Sequence, residues 1–192
     1  MNIIRNGILA VYVGEFELYD TVWDDLRVSG NSFDKNVNAP SLLAFGASGG
    51  LLAYQFTGTG VTVNQVYFAL QIPHSYKLGT NLCPHVHWTP TTTDAGNVVW
   101  QLEYAWQDLG AVFSPVTPIE IVDATSGVAW KHQLAEFPEI SGAGAQLSSM
   151  LICRLFRDPA HASDTYEHDA ALLEFDIHFQ ANTLGSREEY VK

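Results

Sequence analysis

Between Gly79 and Trp106 the sequence GTNLCPHVHWTPTTTDAGNVVWQLEYAW alternates apolar and polar residues in two separate runs. Side chains on a strand point to opposite faces in turn, so this pattern fixes which residues travel together. In the first run Val86 and Trp88 share one face, while Cys83, His85 and His87 share the other. In the second, Val98, Trp100, Leu102, Tyr104 and Trp106 make a long apolar face opposite Val99, Gln101, Glu103 and Ala105. A threonine-rich connection ending in Asp94, Ala95 and Gly96 separates them. The pattern predicts a β-hairpin with one aromatic face for a core and one face carrying histidines and a carboxylate. The functional question is whether that second face catalyses, binds a metal or meets another copy of the chain.

The flanking sequence carries the same punctuation. Residues 1–20 hold short apolar pieces, Ile8 to Val13 and Phe16 to Tyr19, and read as an N-terminal arm or a first strand. The stretch from Gly30 to Pro40 is dense in turn formers. From Leu51 onward, strands are expected at Leu51–Thr57, Val61–Ile72, the two hairpin arms, Ile119–Asp123, Val128–Phe137, Ser148–Arg157 and Ala170–Gln180. Eight strands broken by Gly, Pro, Ser and Asp clusters, with no helical periodicity, predict an all-β, jelly-roll-like antiparallel β-sandwich. No repeat or linker divides the chain, so residues 21–192 read as a single sandwich domain. The tail Gly185 to Lys192 reads as an exposed end or a docking tail.

Composition narrows the partners. Nine Lys and Arg against 21 Asp and Glu give a net charge of −12. Such a chain gains nothing from counterion release on nucleic acid and is repelled by an anionic membrane surface, so neither is an expected partner. The Ile8 to Val13 run is short for a signal peptide, and nothing approaches the ~20 apolar residues of a membrane-spanning helix. Synthesis in the cytoplasm is expected. Charged residues are only 16% of the chain, and it holds five Trp, eight Tyr and ten Phe. That is enough for a core with aromatic residues left over for contacts between subunits.

Among motifs with chemistry, His85 and His87 stand out. Two histidines at i and i+2 on a strand project side by side and can offer two imidazoles to one ion, so both are candidate metal ligands. With Gly79 upstream they match the opening of the cupin metal motif, which makes a cupin-like metal-binding protein one reading. The glutamate that motif needs four or five positions later is replaced by Thr91 and Thr92. The last strand is expected to turn Leu173, Phe175, Ile177 and Phe179 inward and Glu174, Asp176, His178 and Gln180 outward. If it shares a sheet with the hairpin, Glu103, Glu174, Asp176 and His178 join the histidines on one face. No nucleophile elbow or phosphate loop is present, and neither cysteine has a basic or helix-start context. Cys83 and Cys153 read as small buried thiols. His74, His132, His161 and His168 read as surface or hydrogen-bonded histidines. No catalytic residue and no cofactor are expected.

Three blocks carry a family resemblance: Asp20 to Arg27, then Pro73 and His74 with Pro84 to Trp88, and finally Thr183 to Tyr190. Together they resemble a group of small structural proteins encoded by tailed bacteriophages. The resemblance implies a non-enzymatic virion protein, such as a capsid decoration (cement) protein that stabilises neighbouring capsid subunits, or a tail or fibre component. It further implies a homotrimer whose partners are itself and major capsid or tail proteins. A carbohydrate-binding module with exposed aromatic rings is the remaining expectation.

Overall fold

The computed structural model describes residues 17–29, 33–36, 38–46 and 50–190. The Ile8 to Val13 run expected in an arm or first strand lies outside them. Within them the chain forms ten strands and no helix: β1 (Glu17–Ser29), β2 (Ser41–Ala44), β3 (Leu52–Phe56), β4 (Asn64–Gln71), β5 (Cys83–Pro90), β6 (Asn97–Gln107), β7 (Thr117–Ala124), β8 (Gln133–Glu136), β9 (Met150–Arg157) and β10 (Ala170–Thr183). One sheet runs β2-β3-β10-β5-β8, with β1 also on β10, and the other runs β4-β9-β6-β7. Every pairing is antiparallel. From β3 onward the chain changes sheet at each connection except β6 to β7, which is the jelly-roll path. The protein is therefore an all-β, jelly-roll-like antiparallel sandwich.

The two alternating runs are β5 and β6, and their apolar faces do meet. They meet across the core and not as a hairpin, because β5 lies in one sheet and β6 in the other. Trp88 and Trp100, both fully buried, pack edge to face with centroids 6.2 Å apart. Alternation specifies a face; it does not say whether two strands pair side by side or stack. Only a two-residue primed turn would have forced a hairpin, and the polar connection 91–96 instead arches between the sheets. Phe56 packs on Trp100 at 5.1 Å, and Phe68 on Phe175 at 4.7 Å, closing the interior. The indole N–H of Trp88 donates to Asp123 at 2.8 Å.

β10 departs from simple alternation. Its register against β5 shifts between Leu172 and Glu174, so Leu173 is an extra residue that exchanges the two faces. Ala170 and Leu172 enter the core before the shift, and Phe175, Ile177 and Phe179 after it. Leu173, expected inward, lines an outer groove with Leu42 and Leu52 instead. Strand limits also differ from the sequence pattern. β8 is short because Trp130 turns the chain with a φ of 61°, and β4 begins only at Asn64 because the stretch from Val61 is exposed. β1 runs on from the 1–20 segment that reads as an arm or first strand as far as Ser29, and β2 adds a strand to the eight expected from Leu51 onward; β2 is exposed throughout, which leaves no two-residue hydrophobic period to read.

The end of the sandwich is tied by Arg157, fully buried at the end of β9. Its Nε and Nη2 donate to Asp164 at 2.9 and 2.8 Å, Nη1 donates to the carbonyls of Phe56 and His168 at 3.0 and 2.8 Å, and Nη2 also donates to the Tyr166 carbonyl. The loop that carries these carbonyls passes so near Gly58 and Gly96 that an added Cβ would lie 2.2 Å from the Tyr166 oxygen and 2.7 Å from its Cα. No other residue fits there without moving backbone. Removing one partner of a buried pair strands the other charge, so Asp164→Ala should lower the unfolding free energy by about 3–5 kcal/mol. Arg27→Ala, at an exposed pair, should leave the denaturation midpoint nearly unchanged; equal effects of the two changes would contradict the assignment.

Candidate functional site

The pairing registers place the polar residues of one sheet in three cross-strand rows. Asp25, His178 and Cys83 stand opposite one another on β1, β10 and β5. The next row is Arg27, Asp176, His85 and Glu136, and the third is Glu174, His87 and Leu134. All sit at the same parity along their strands, so all share the outer face, directly behind the core positions Val86 and Phe175. His85 and His87, singled out by spacing, are thus joined by Asp176 and His178. Glu103 is not among them, because β6 belongs to the other sheet; it pairs there with Arg154 at 2.9 Å. Glu174 shares the face but is held by Arg27 through two bonds of 2.8 and 2.6 Å.

Asp176 is the centre of the cluster. His178 Nε2 lies 3.3 Å from its Oδ2, His87 Nε2 lies 3.5 Å from its Oδ1, and His85 Nδ1 lies 3.9 Å from that same oxygen. Two residues not flagged by spacing join the edge of the cluster: Asp25, 3.2 Å from His178, and His132, whose Nε2 is 2.8 Å from His87 Nδ1. The signal that could have found them is positional, since both lie on the strands or strand ends flanking β10 and β5 and become neighbours only once the strand order is known.

Burial makes the cluster unusual. Asp176 is 3% exposed and His85 6% exposed, although both lie on an outer face. Asp176 Oδ1 and His85 Nδ1 are buried with no hydrogen-bond partner among the described residues. A buried polar atom left unpaired costs roughly 1–3 kcal/mol, so two facing one another need a reason. Burial, followed by the neighbouring His178, pulls His85 below the usual imidazole range, against the opposite pull of Asp176 and Glu136. A neutral imidazole is the form that accepts a proton or ligates a metal.

Beside the cluster lies an open groove of ≈400 Å³ lined by Trp23, Cys83, His85, Glu136, Phe137 and His178 among others. The sandwich interior behind it is filled by Val86 and Trp88, so any ion held by these histidines sits outside the core. Cys83 is half-buried and not fully covered as expected; burial and then Glu139 and Glu136 push its thiol up. Cys153, buried in the core, is pushed up to about 12 by burial. Both cysteines are free. The remaining histidines are hydrogen-bonded or ion-paired elsewhere: His74 to Ser148 at 3.0 Å and to Ser186 of the C-terminal segment, His168 to Asp94 at 2.7 Å, and His161 to Glu120 at 3.6 Å.

No protein-family model matches the chain, and no curated protein matches it. Among solved structures, dimeric latent PorU from Porphyromonas gingivalis is 12% identical with a TM-score of 0.38. The alignment covers 89% of this chain and 14% of that one, so the chain spans a small part of that protein's length. TmCBM61 in complex with β-1,4-galactotriose is 11% identical with a TM-score of 0.33, covering 83% of this chain and 88% of that one. Likenesses this slight transfer no function and no residue role.

With both thiols held protonated by their surroundings, neither should behave as an activated nucleophile. In the native protein at mildly alkaline pH, a chromogenic disulfide should label Cys83 slowly and Cys153 only after unfolding. Labelling of either faster than a small free thiol would refute this.

Proposed function

We propose that the protein is a non-enzymatic structural component of a tailed-bacteriophage virion, a jelly-roll module that stabilises neighbouring capsid subunits as a decoration protein. A tail or fibre location is the variant of the same reading. The resemblance of the three sequence blocks supplies the context. The observation that carries the reading is apolar surface the folded chain leaves open along one sheet edge.

Among the described residues β2 is the terminal strand of its sheet, paired with β3 alone. All four of its residues are exposed. Leu42 and Leu43 are 49% and 43% exposed, and Leu51 and Leu52 beside them 69% and 58%. Leu42, Leu51 and Leu52 border a groove of ≈320 Å³ floored by Tyr54, Leu172 and Leu173. An edge strand normally carries charge or a covering segment to prevent pairing with other chains. Among the described residues this leucine edge has neither, which suits a site of protein association. A second copy of the chain fits it best, since a closed ring uses the same edge once per subunit. A homotrimer is the proposed form, displayed on the particle against capsid or tail proteins. The filled interior, the open grooves and the unactivated thiols favour a structural role over catalysis.

Light scattering on the eluting full chain should give three times 21.2 kDa, and Leu42→Asp combined with Leu52→Asp should reduce it to one. A single-chain mass for the unaltered protein would overturn the self-association. Absence of the protein from purified particles of the phage that encodes it would overturn the virion role.

A further inference from the structure

We propose that His85, Asp176 and His178 form a binding site for one divalent transition-metal ion of the zinc type, with His87 as a fourth donor. The site lies on the outer face of the β1-β10-β5-β8 sheet, away from the leucine edge, and does not depend on the structural role.

The geometry is that of a ligand set. One donor atom from each of His85, Asp176 and His178 can be chosen so that all lie within 4.8 Å of one another. Around a tetrahedral zinc, donors bonded at about 2.0–2.2 Å stand about 3.3–3.6 Å apart. Asp176 already stands 3.3 Å from His178, 3.5 Å from His87 and 3.9 Å from His85. Small rotations of three side chains would close the set around one ion.

The second observation is the unsatisfied chemistry. Asp176 Oδ1 and His85 Nδ1 are both buried, both without a hydrogen-bond partner among the described residues, and turned toward each other at a separation too long for a hydrogen bond. A cation between them would satisfy both. Arg27, the guanidinium near Asp176 among the described residues, is occupied by Glu174. His178 is also 3.2 Å from Asp25, and His87 hydrogen-bonds His132 through the nitrogen that does not face Asp176. His178 turns the same nitrogen, Nε2, toward Asp25 and Asp176, while the His87–His132 bond is an outer contact of the kind that orients a ligating imidazole in metal sites. Three imidazoles with one carboxylate select zinc, cobalt, nickel or copper over calcium and magnesium, which prefer all-oxygen sets. β10 supplies two donors and β5 the others, so the ion would clamp the two central strands of the sheet.

The test uses the full chain, stripped with chelator and titrated with zinc chloride by calorimetry and with cobalt(II) by visible absorption. One ion per chain with a four-coordinate cobalt spectrum is expected. His178→Gln, at a half-exposed position, should keep the thermal midpoint of the stripped protein and weaken zinc binding at least about 10-fold. Asp176→Asn should do the same, while His168→Gln, paired with Asp94 elsewhere, should bind as the unaltered chain does. Less than about a tenth of an ion per chain at saturating zinc, or unchanged affinity in His178→Gln, would overturn the proposal.

Discussion

A guanidinium with none of its surface exposed forgoes hydration worth several kcal/mol, and that loss is recovered only if every donor finds an acceptor in good geometry. Arg157 meets that condition, with Asp164 on one edge and the carbonyls of Phe56, Tyr166 and His168 on the others. Those acceptors come from the end of β3 and from the loop that leads into β10, so one side chain of the second sheet fixes where the first sheet's central strand begins. Ala170 then faces Phe56 on one side and Pro90 on the other. The rest of β10, Asp176 and His178 included, is placed from that start, displaced by the one-residue shift after Leu172.

The extra residue at Leu173 converts this register into a site. Without it the residues beyond Leu172 would keep the earlier phase, which would put Asp176 and His178 into the core and Phe175 and Ile177 on the outer face. The shift is tolerated because Leu173 finds an apolar groove outside, and because the large side chains after it, Phe175 against Phe68 above all, fill the interior. Core packing and polar cluster are two sides of the same strands: Val86 and Phe175 face the tryptophans, and His85 and Asp176 stand on the reverse.

Two parts of the surface depart from what an isolated soluble sandwich needs, and they do so in opposite ways. At the β2 edge apolar side chains are left uncovered, which favours contact with another chain. At the middle of the same sheet polar atoms are covered without being paired, which favours a cation. The chain's negative charge suits both, since it limits indiscriminate clustering of leucine edges and draws cations to the face. A bound ion joining β5 to β10 would stiffen the sheet that carries the edge strand.

Alternation alone determined the strand identity of β3 to β10, the aromatic face of β5 and β6, and the outward direction of His85, His87, Asp176 and His178, because a side chain's face depends only on its parity along a strand. It left His132 and Asp25 out of the cluster and brought Glu103 in, because parity carries no information about which strand lies beside which. β5 and β6 show this most clearly: their sequence fits a hairpin, and the sheet each one joins was decided by where the arch could cross and which aromatic faces it brought together. The phase change at Leu173 was equally out of reach, since it depends on Arg157 anchoring one end of β10 while the core selects Phe175 at the other. Local pattern fixed the faces; long-range pairing, set by a buried ion pair and the fit of the core, decided which of those faces became a site.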